Sequence, residues 1–127
     1  MTERFDIRAR ARSFVYAFRG IGALFVHEHN ARIHAAVAVV IVCMASWLGV
    51  SLVEWAVLAL TMGCVLCAEA MNSGVEALAD ALHPEQHPLI ARAKDVAAGG
   101  VLLTAIAAVI VGLLVLGPPL WRVIVTD

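Results

Sequence analysis

Three long runs of apolar residues alternate with short polar segments along the chain. The runs occupy residues 33–53, 55–78 and 95–116. Each run is close to the length of about twenty residues that crosses a bilayer as a helix. Gly49 and Ser51 mark a very short link between the first two runs, which predicts an antiparallel helical hairpin, and Gly117-Pro118-Pro119 marks the end of the third. The pattern predicts an all-α membrane protein with three transmembrane helices.

A different pattern precedes the first run, because residues 5–30 mix arginines with large apolar side chains. Phe14, Phe18, Ile21 and Phe25 recur at the spacing of one helical face, and most of the arginines fall off that face. We therefore predict an amphipathic helix over 5–30 that lies on the membrane surface. A passive anchor and a functional lid are both compatible with the residues alone.

The composition supports a membrane protein and excludes other classes. Hydrophobic residues make up 62% of the 127 and charged residues 15%, against about 25% charged residues in a typical soluble domain. The mean hydropathy is +0.90. A small soluble domain, a disordered chain and a basic nucleic-acid-binding domain are all excluded, so we expect no nucleic acid partner. Cys64 and Cys67 form a C-x-x-C within an apolar run, where we interpret them as structural.

The basic residues indicate an orientation. Eight of the nine lie before the first run or between the second and third, and only Arg122 lies on the opposite side. By the positive-inside rule, the N-terminus and the polar end of the bundle face the cytoplasm. Trp47, Trp55 and Trp121 then fall near the outer interface, as an aromatic belt would.

Polar residues form one stripe on the second predicted helix. Glu69, Asn72, Ser73, Glu76 and Asp80 stand at i, i+3, i+4, i+7 and i+11, which places them on one face. Ionisable residues at membrane depth are expensive and mark functional sites by default. The alternative is a polar seam that pairs with a neighbouring helix. Carboxylates at a water–lipid boundary suit Mg2+, which prefers oxygen ligands and is commonly coordinated by substrate phosphates as well.

The segment before the third run offers further candidates. The pair Lys94-Asp95 could hold a polyphosphate, and the alternative is that Lys94 and Arg92 only set the topology. His83 and His87 flank a rigid polar loop and could suggest zinc. However, no cysteine is available on that side of the predicted membrane, so a role of the two histidines within the loop itself is the favoured interpretation.

Two motifs together resemble the signature of the small prokaryotic diacylglycerol kinase family, which includes undecaprenol kinases. The first is the run 69–76, of the form E-x-x-N-[ST]-x-x-E, followed by Asp80. The second is Ala93-Lys94-Asp95 ahead of the third run. The resemblance extends from about Ser13 to about Leu116. It implies an ATP-dependent lipid kinase with three spans per chain and a surface helix, working as a homotrimer whose sites are shared between subunits.

The resemblance also implies roles for individual residues. Glu69 is the candidate general base on the lipid hydroxyl, and Asn72 supports it. Glu28 and Glu76 hold Mg2+. The nucleotide site comprises Tyr16, Glu28, Glu76, Asp80, Glu85, His87, Lys94 and Asp95. For the lipid substrate we expect contacts from Ser13, Asn30, His34, Trp47, Glu69 and Ala98.

The segment from Glu28 to His34 looks more like the undecaprenol branch, since the diacylglycerol branch tends to have an acidic residue at position 34. Undecaprenol is therefore the favoured acceptor, with diacylglycerol, which would give phosphatidic acid, as the other. We expect a multi-pass protein of the bacterial inner membrane with its active site on the cytoplasmic side. Two other classes remain open: a non-catalytic membrane protein or regulatory subunit with a pseudo-active site, and an ion or proton carrier that uses the Glu69 stripe.

Overall fold

The chain forms four helices in a computed structural model that describes residues 6–83, 85 and 87–126, with only the backbone at 126. In chain order they are α1 (Ile7–His27), α2 (His29–Leu48), α3 (Leu52–Leu82) and α4 (Pro88–Thr126). The all-helical prediction is confirmed. Helices α2, α3 and α4 are each long and apolar enough to cross a membrane. Residue 5, the first of the predicted surface helix, lies outside the described residues.

A single residue separates α1 from α2. Glu28 adopts an extended conformation with φ −98° and ψ 117°, and its N–H donates to the carbonyl of Leu24, which closes α1. The sequence pattern placed this boundary between residues 30 and 33. It lies earlier because the backbone turns out of the helix at Glu28, so Asn30 and Arg32 belong to α2.

The predicted hairpin between the first two spans is confirmed. α2 is capped by Gly49, whose φ of 65° lies in the left-handed region that glycine adopts without strain. α3 then starts with a capping box, in which the Ser51 hydroxyl accepts from the Glu54 N–H and the Glu54 carboxylate accepts from the Ser51 N–H. These local contacts leave only three residues for the link.

The fourth helix differs from the sequence expectation at its C-terminal end. Pro118 and Pro119 lie inside α4, which continues to Thr126 instead of ending at these prolines. Proline removes a helical hydrogen bond and crowds the preceding turn, which usually ends or kinks a helix. Here Leu116 is buried in the core and Leu120 lines a groove beyond the prolines. Packing on both sides of the prolines therefore offsets the local cost.

The described core lies at one end of the bundle. Ala45, Leu58 and Leu116 form a buried cluster, and Trp55 packs against it. The end of α2, the start of α3 and the end of α4 therefore meet, and α3 packs along α4 more extensively than any other pair of helices. The polar stripe of α3 lies at the opposite end. Cys43, Cys64 and Cys67 are free and exposed on the surface of the bundle, so their structural role stays a prediction.

Candidate functional site

The polar stripe is built on one uninterrupted helix. α3 has 31 residues, which corresponds to about 46 Å at 1.5 Å per residue, whereas the hydrocarbon core of a bilayer is about 30 Å thick. Since α3 begins at the hairpin, its C-terminal part extends past the apolar layer. The predicted polar residues occupy that part, with Glu69 deepest and Asp80 nearest the helix end.

Glu69 is the most enclosed ionisable group in the described structure. Its side chain is 2% exposed, and Oε1 lies 3.3 Å from Nε2 of His34 on the neighbouring α2. The two atoms are close, but Oε1 accepts no hydrogen bond from the described residues. A buried carboxylate oxygen without a partner is costly and is available to a bound molecule.

The next turns of the stripe form a small hydrogen-bonded set. Nδ2 of Asn72 donates to Oε1 of Glu76 at 2.9 Å, and the Ser73 hydroxyl donates to the backbone carbonyl of Glu69 at 2.9 Å. Oδ1 of Asn72 is buried and accepts no hydrogen bond from the described residues. Asn72 therefore fixes the Glu76 carboxylate while its own carbonyl oxygen stays available one turn from Glu69.

Asp80 and Lys94 connect the end of α3 to the start of α4. Nζ of Lys94 donates to Oδ1 of Asp80 at 2.9 Å. Lys94 precedes the apolar run of α4 at residues 95–116, so it lies outside the hydrocarbon-spanning part. The hydrogen bond from Lys94 to Asp80 raises the pKa of the ammonium, so Lys94 is positively charged at neutral pH.

A polar cleft of about 580 Å3 opens around this ion pair. It brings together most of the residues expected to bind nucleotide, and its ionisable lining comprises Asp80, His83, Glu85, His87, Lys94 and Asp95. His83 was not among the expected site residues. Its ring centroid lies 5.7 Å from that of His87, with the two rings tilted. The sequence signal for His83 is the pair of histidines in the loop, a pattern that by itself favours a role within the loop.

A second, apolar groove of about 480 Å3 lies between α2, α3 and α4. Its lining runs from His34 at one end to Leu120 at the other, and includes Val65 and Leu66 one turn before Glu69. His34 thus lines the groove and also lies 3.3 Å from the buried Glu69 carboxylate. The lining of the groove is mostly apolar, as a lipid chain requires. The polar side chain of His34 marks the end nearest the carboxylate.

The structure does not bring every expected site residue to this place. Tyr16 is exposed on α1, Asn30 is exposed near the start of α2, and Ala98 is exposed on α4. The Ser13 hydroxyl donates to the backbone carbonyl of Ala9 within α1. Trp47 lies thirteen residues after His34 on α2, so it is about 20 Å away along the helix axis. Their roles remain predictions.

The acidic residues of the site suit a cation that is completed by phosphate oxygens. Within residues 6–83, 85 and 87–126, no group of three His, Cys, Asp or Glu side chains is arranged to hold a metal by itself. Glu76 and the unpartnered Oδ1 of Asn72 nevertheless offer hard oxygen donors. Glu28 is half-buried and makes no side-chain cap for α2. Mg2+ is commonly bound through one or two carboxylates plus substrate phosphates, so these residues fit it.

Fold and site together define a helical membrane protein with a buried carboxylate, Glu69, on the same helix as Asp80, which lines a polar cleft with a lysine. Residues 15–116 match the family model for prokaryotic diacylglycerol kinase. The match includes both the stripe of α3 and the start of α4. The chain therefore belongs to the prokaryotic diacylglycerol kinase family.

Named relatives agree with this assignment. A diacylglycerol kinase of Synechocystis sp. is 43% identical over 114 residues, which are 89% of this chain and 65% of the relative. The chain thus spans just under two thirds of that relative's length. An undecaprenol kinase of Bacillus subtilis is 36% identical over 109 residues, 86% of this chain and 89% of the relative. A diacylglycerol kinase of Escherichia coli is 33% identical over 95 residues, 75% of this chain and 78% of the relative.

Proposed function

We propose that the protein is a Mg2+-dependent lipid kinase that transfers the γ-phosphate of ATP to the hydroxyl of a membrane lipid alcohol. The observation that supports this most directly is the buried Glu69, with an unpartnered carboxylate oxygen, on the same helix that reaches the polar cleft through Asp80. A membrane alcohol and a charged nucleotide need such neighbouring environments, one apolar and one polar. Membership of the family supports the same reaction.

Glu69 acts as the general base. A lipid alcohol places its hydroxyl at the interface, and the unpartnered Oε1 can accept a hydrogen bond from it. The hydroxyl oxygen then attacks the γ-phosphorus as its proton passes to the carboxylate. Asn72 holds Glu76 by the 2.9 Å hydrogen bond and presents its free carbonyl oxygen one turn away. It supports the catalytic centre by fixing the neighbouring carboxylate.

The nucleotide occupies the polar cleft. Asp80 holds the Lys94 ammonium in the lining of the cleft, where its charge can contact phosphates. Glu85, His87 and Asp95 line the same cleft, and Tyr16 of α1 completes the nucleotide site. Glu28 and Glu76 hold Mg2+. When bound, the cation neutralises charge on the phosphates as phosphoryl transfer proceeds.

The lipid chain occupies the apolar groove between α2, α3 and α4, with its hydroxyl at the His34 end. Ser13, Asn30, Trp47 and Ala98 contribute further lipid contacts. Undecaprenol is the preferred acceptor, because the segment from Glu28 to His34 resembles the undecaprenol branch. The relatives include both an undecaprenol kinase and diacylglycerol kinases, and diacylglycerol is the slower acceptor in this proposal.

The protein works in the bacterial inner membrane as a homotrimer with sites shared between subunits. The N-terminus and the site face the cytoplasm, where ATP is available, and α1 lies on that membrane surface. Many large apolar side chains are exposed on α2, α3 and α4, so each helix has surface available for lipid or for a neighbouring copy.

The test is direct phosphorylation. Purified protein in mixed micelles receives ATP labelled in the γ-phosphate, Mg2+ and one lipid alcohol at a time. Label in undecaprenyl phosphate or phosphatidic acid would support the proposal, and the ratio of kcat/KM values would rank the acceptors. If neither lipid is labelled by protein that elutes as a single assembly, a non-catalytic role replaces the kinase.

A further inference from the structure

The side chains of His34 and Glu69 lie close together between α2 and α3. We infer that His34 acts through Glu69, as a positioning residue that receives the proton Glu69 takes from the lipid hydroxyl. This inference rests on the proposed kinase function and adds a residue to its proton path. The observation behind it is the 3.3 Å separation of Nε2 and Oε1, in a place where the carboxylate is 2% exposed.

Burial explains why Glu69 needs such a partner. Once protonated, a buried carboxylic acid has no direct route to water, and it must lose its proton before the next turnover. His34 is 24% exposed, in contrast to Glu69, so its ring contacts both the carboxylate and the outside. Neutral imidazole accepts a proton at physiological pH. The proton therefore moves from the lipid hydroxyl to Glu69, from Oε1 to Nε2, and from the imidazolium to water.

These reaction steps balance in atoms and electrons without another reactant. The lipid oxygen forms a bond to the γ-phosphorus as the bond between that phosphorus and the leaving ADP oxygen breaks. One proton leaves the hydroxyl and one is released to solvent. Nothing is oxidised or reduced, and both Glu69 and His34 return to their starting states.

The other ionisable groups at this end of the helices are separate from the pair. Among the described residues, Glu76 is hydrogen-bonded to Asn72, and Lys94 is hydrogen-bonded to Asp80. The remaining ionisable groups at this end form no described ion pair with His34 or Glu69. These groups are His27 on α1, Glu28 at the junction, His29 and Arg32 on α2, and Asp95 on α4. His34 is thus the one described basic group placed to exchange a proton with Glu69.

The experiment is chemical rescue of His34→Ala. Generic acid–base assistance contributes about 100-fold or more, so we expect kcat to fall by at least roughly tenfold with little change in the KM for ATP. Added imidazole should restore several-fold of the loss, and substituted imidazoles should restore it in proportion to their basicity. His29→Ala, an exposed histidine near the start of the same helix, is the matched control and should keep wild-type turnover.

Three results would overturn the inference: wild-type kcat in His34→Ala, a loss confined to KM, or a loss that His34→Gln restores and imidazole does not. The last would mean that the ring only fills space or hydrogen-bonds. If His34→Ala does not assemble, turnover of His34→Gln decides alone: a value well below wild type supports the inference and a wild-type value overturns it.

A second readout is independent of activity and separates failure of the inference from failure of the proposed function. Isotope-labelled histidine reports the pH titration of the His34 ring by NMR in the wild type and in Glu69→Gln. If no lipid alcohol is phosphorylated but the titration midpoint differs between the two proteins, the kinase proposal fails and the proton-sharing pair stands. An identical midpoint in both proteins refutes the pair.

Discussion

Replacing Glu69 by glutamine should separate catalysis from stability. The amide has the shape of the carboxylate, so the packing around the 2% exposed side chain is preserved. The substitution removes a group whose charge at membrane depth costs up to about 3 kcal/mol, and Oε1 has no hydrogen bond from the described residues to lose. Stability should therefore be unchanged or increased. The amide cannot take a proton from the lipid hydroxyl, and kcat should fall by about 100- to 10,000-fold.

The assay measures both quantities on the same preparation. Turnover is followed in mixed micelles with the preferred lipid alcohol, and stability by titration with a denaturing detergent. Glu54→Gln is the matched control, since it makes the same change on the same helix at the far end. Its amide oxygen can still accept from the Ser51 N–H in the capping box, so turnover should be retained. Near-normal turnover of Glu69→Gln would refute the general-base role.

Three further predictions concern the metal, the nucleotide and the lipid. Glu28→Ala and Glu76→Ala should each raise the KM for Mg2+-ATP, and together they should cost clearly less than the sum if they hold one ion; full additivity would indicate two sites. Lys94→Met should raise the KM for ATP by about tenfold or more, since hydrogen bonds to charged groups contribute about 1.5–3 kcal/mol. Its effect on stability should be small because ion pairs at the surface contribute little, and Arg92→Met, an exposed charge on the same helix, should leave KM unchanged. Undecaprenol should show a higher kcat/KM than diacylglycerol at equal mole fraction, and the reverse order would contradict the substrate preference.

The number of helices and the position of the stripe could be predicted because both depend on local pattern. Apolar runs of bilayer length report spans directly, and Gly49 with Ser51 reports the hairpin. The stripe follows from helical periodicity once α3 is known to be one continuous helix. The end of α4 could not be predicted from local pattern. Pro118 and Pro119 indicate a helix end, but α4 continues past them, with Leu116 and Leu120 packed on either side.

The contact between His34 and Glu69 depends on tertiary structure. Counting residues from the hairpin predicts only that the two lie at similar depths. His34 stands fourteen residues before the end of α2 and Glu69 seventeen after the start of α3. At 1.5 Å per residue the two depths differ by only about 5 Å. Depth alone could not show that both side chains point to the interface between α2 and α3. The cleft residue His83 was missed for a related reason, since its closeness to His87 depends on how the loop folds.

The central claim is that a lipid hydroxyl attacks the γ-phosphorus of ATP in this protein. The most direct measurement uses a lipid alcohol whose hydroxyl oxygen bears a heavy-isotope label, with mass spectrometry of the product. The account predicts a lipid phosphate that retains the label in the oxygen bridging lipid and phosphorus, formed in equal amount to ADP. ADP formed with inorganic phosphate alone, or a lipid phosphate that lacks the labelled oxygen, would contradict it.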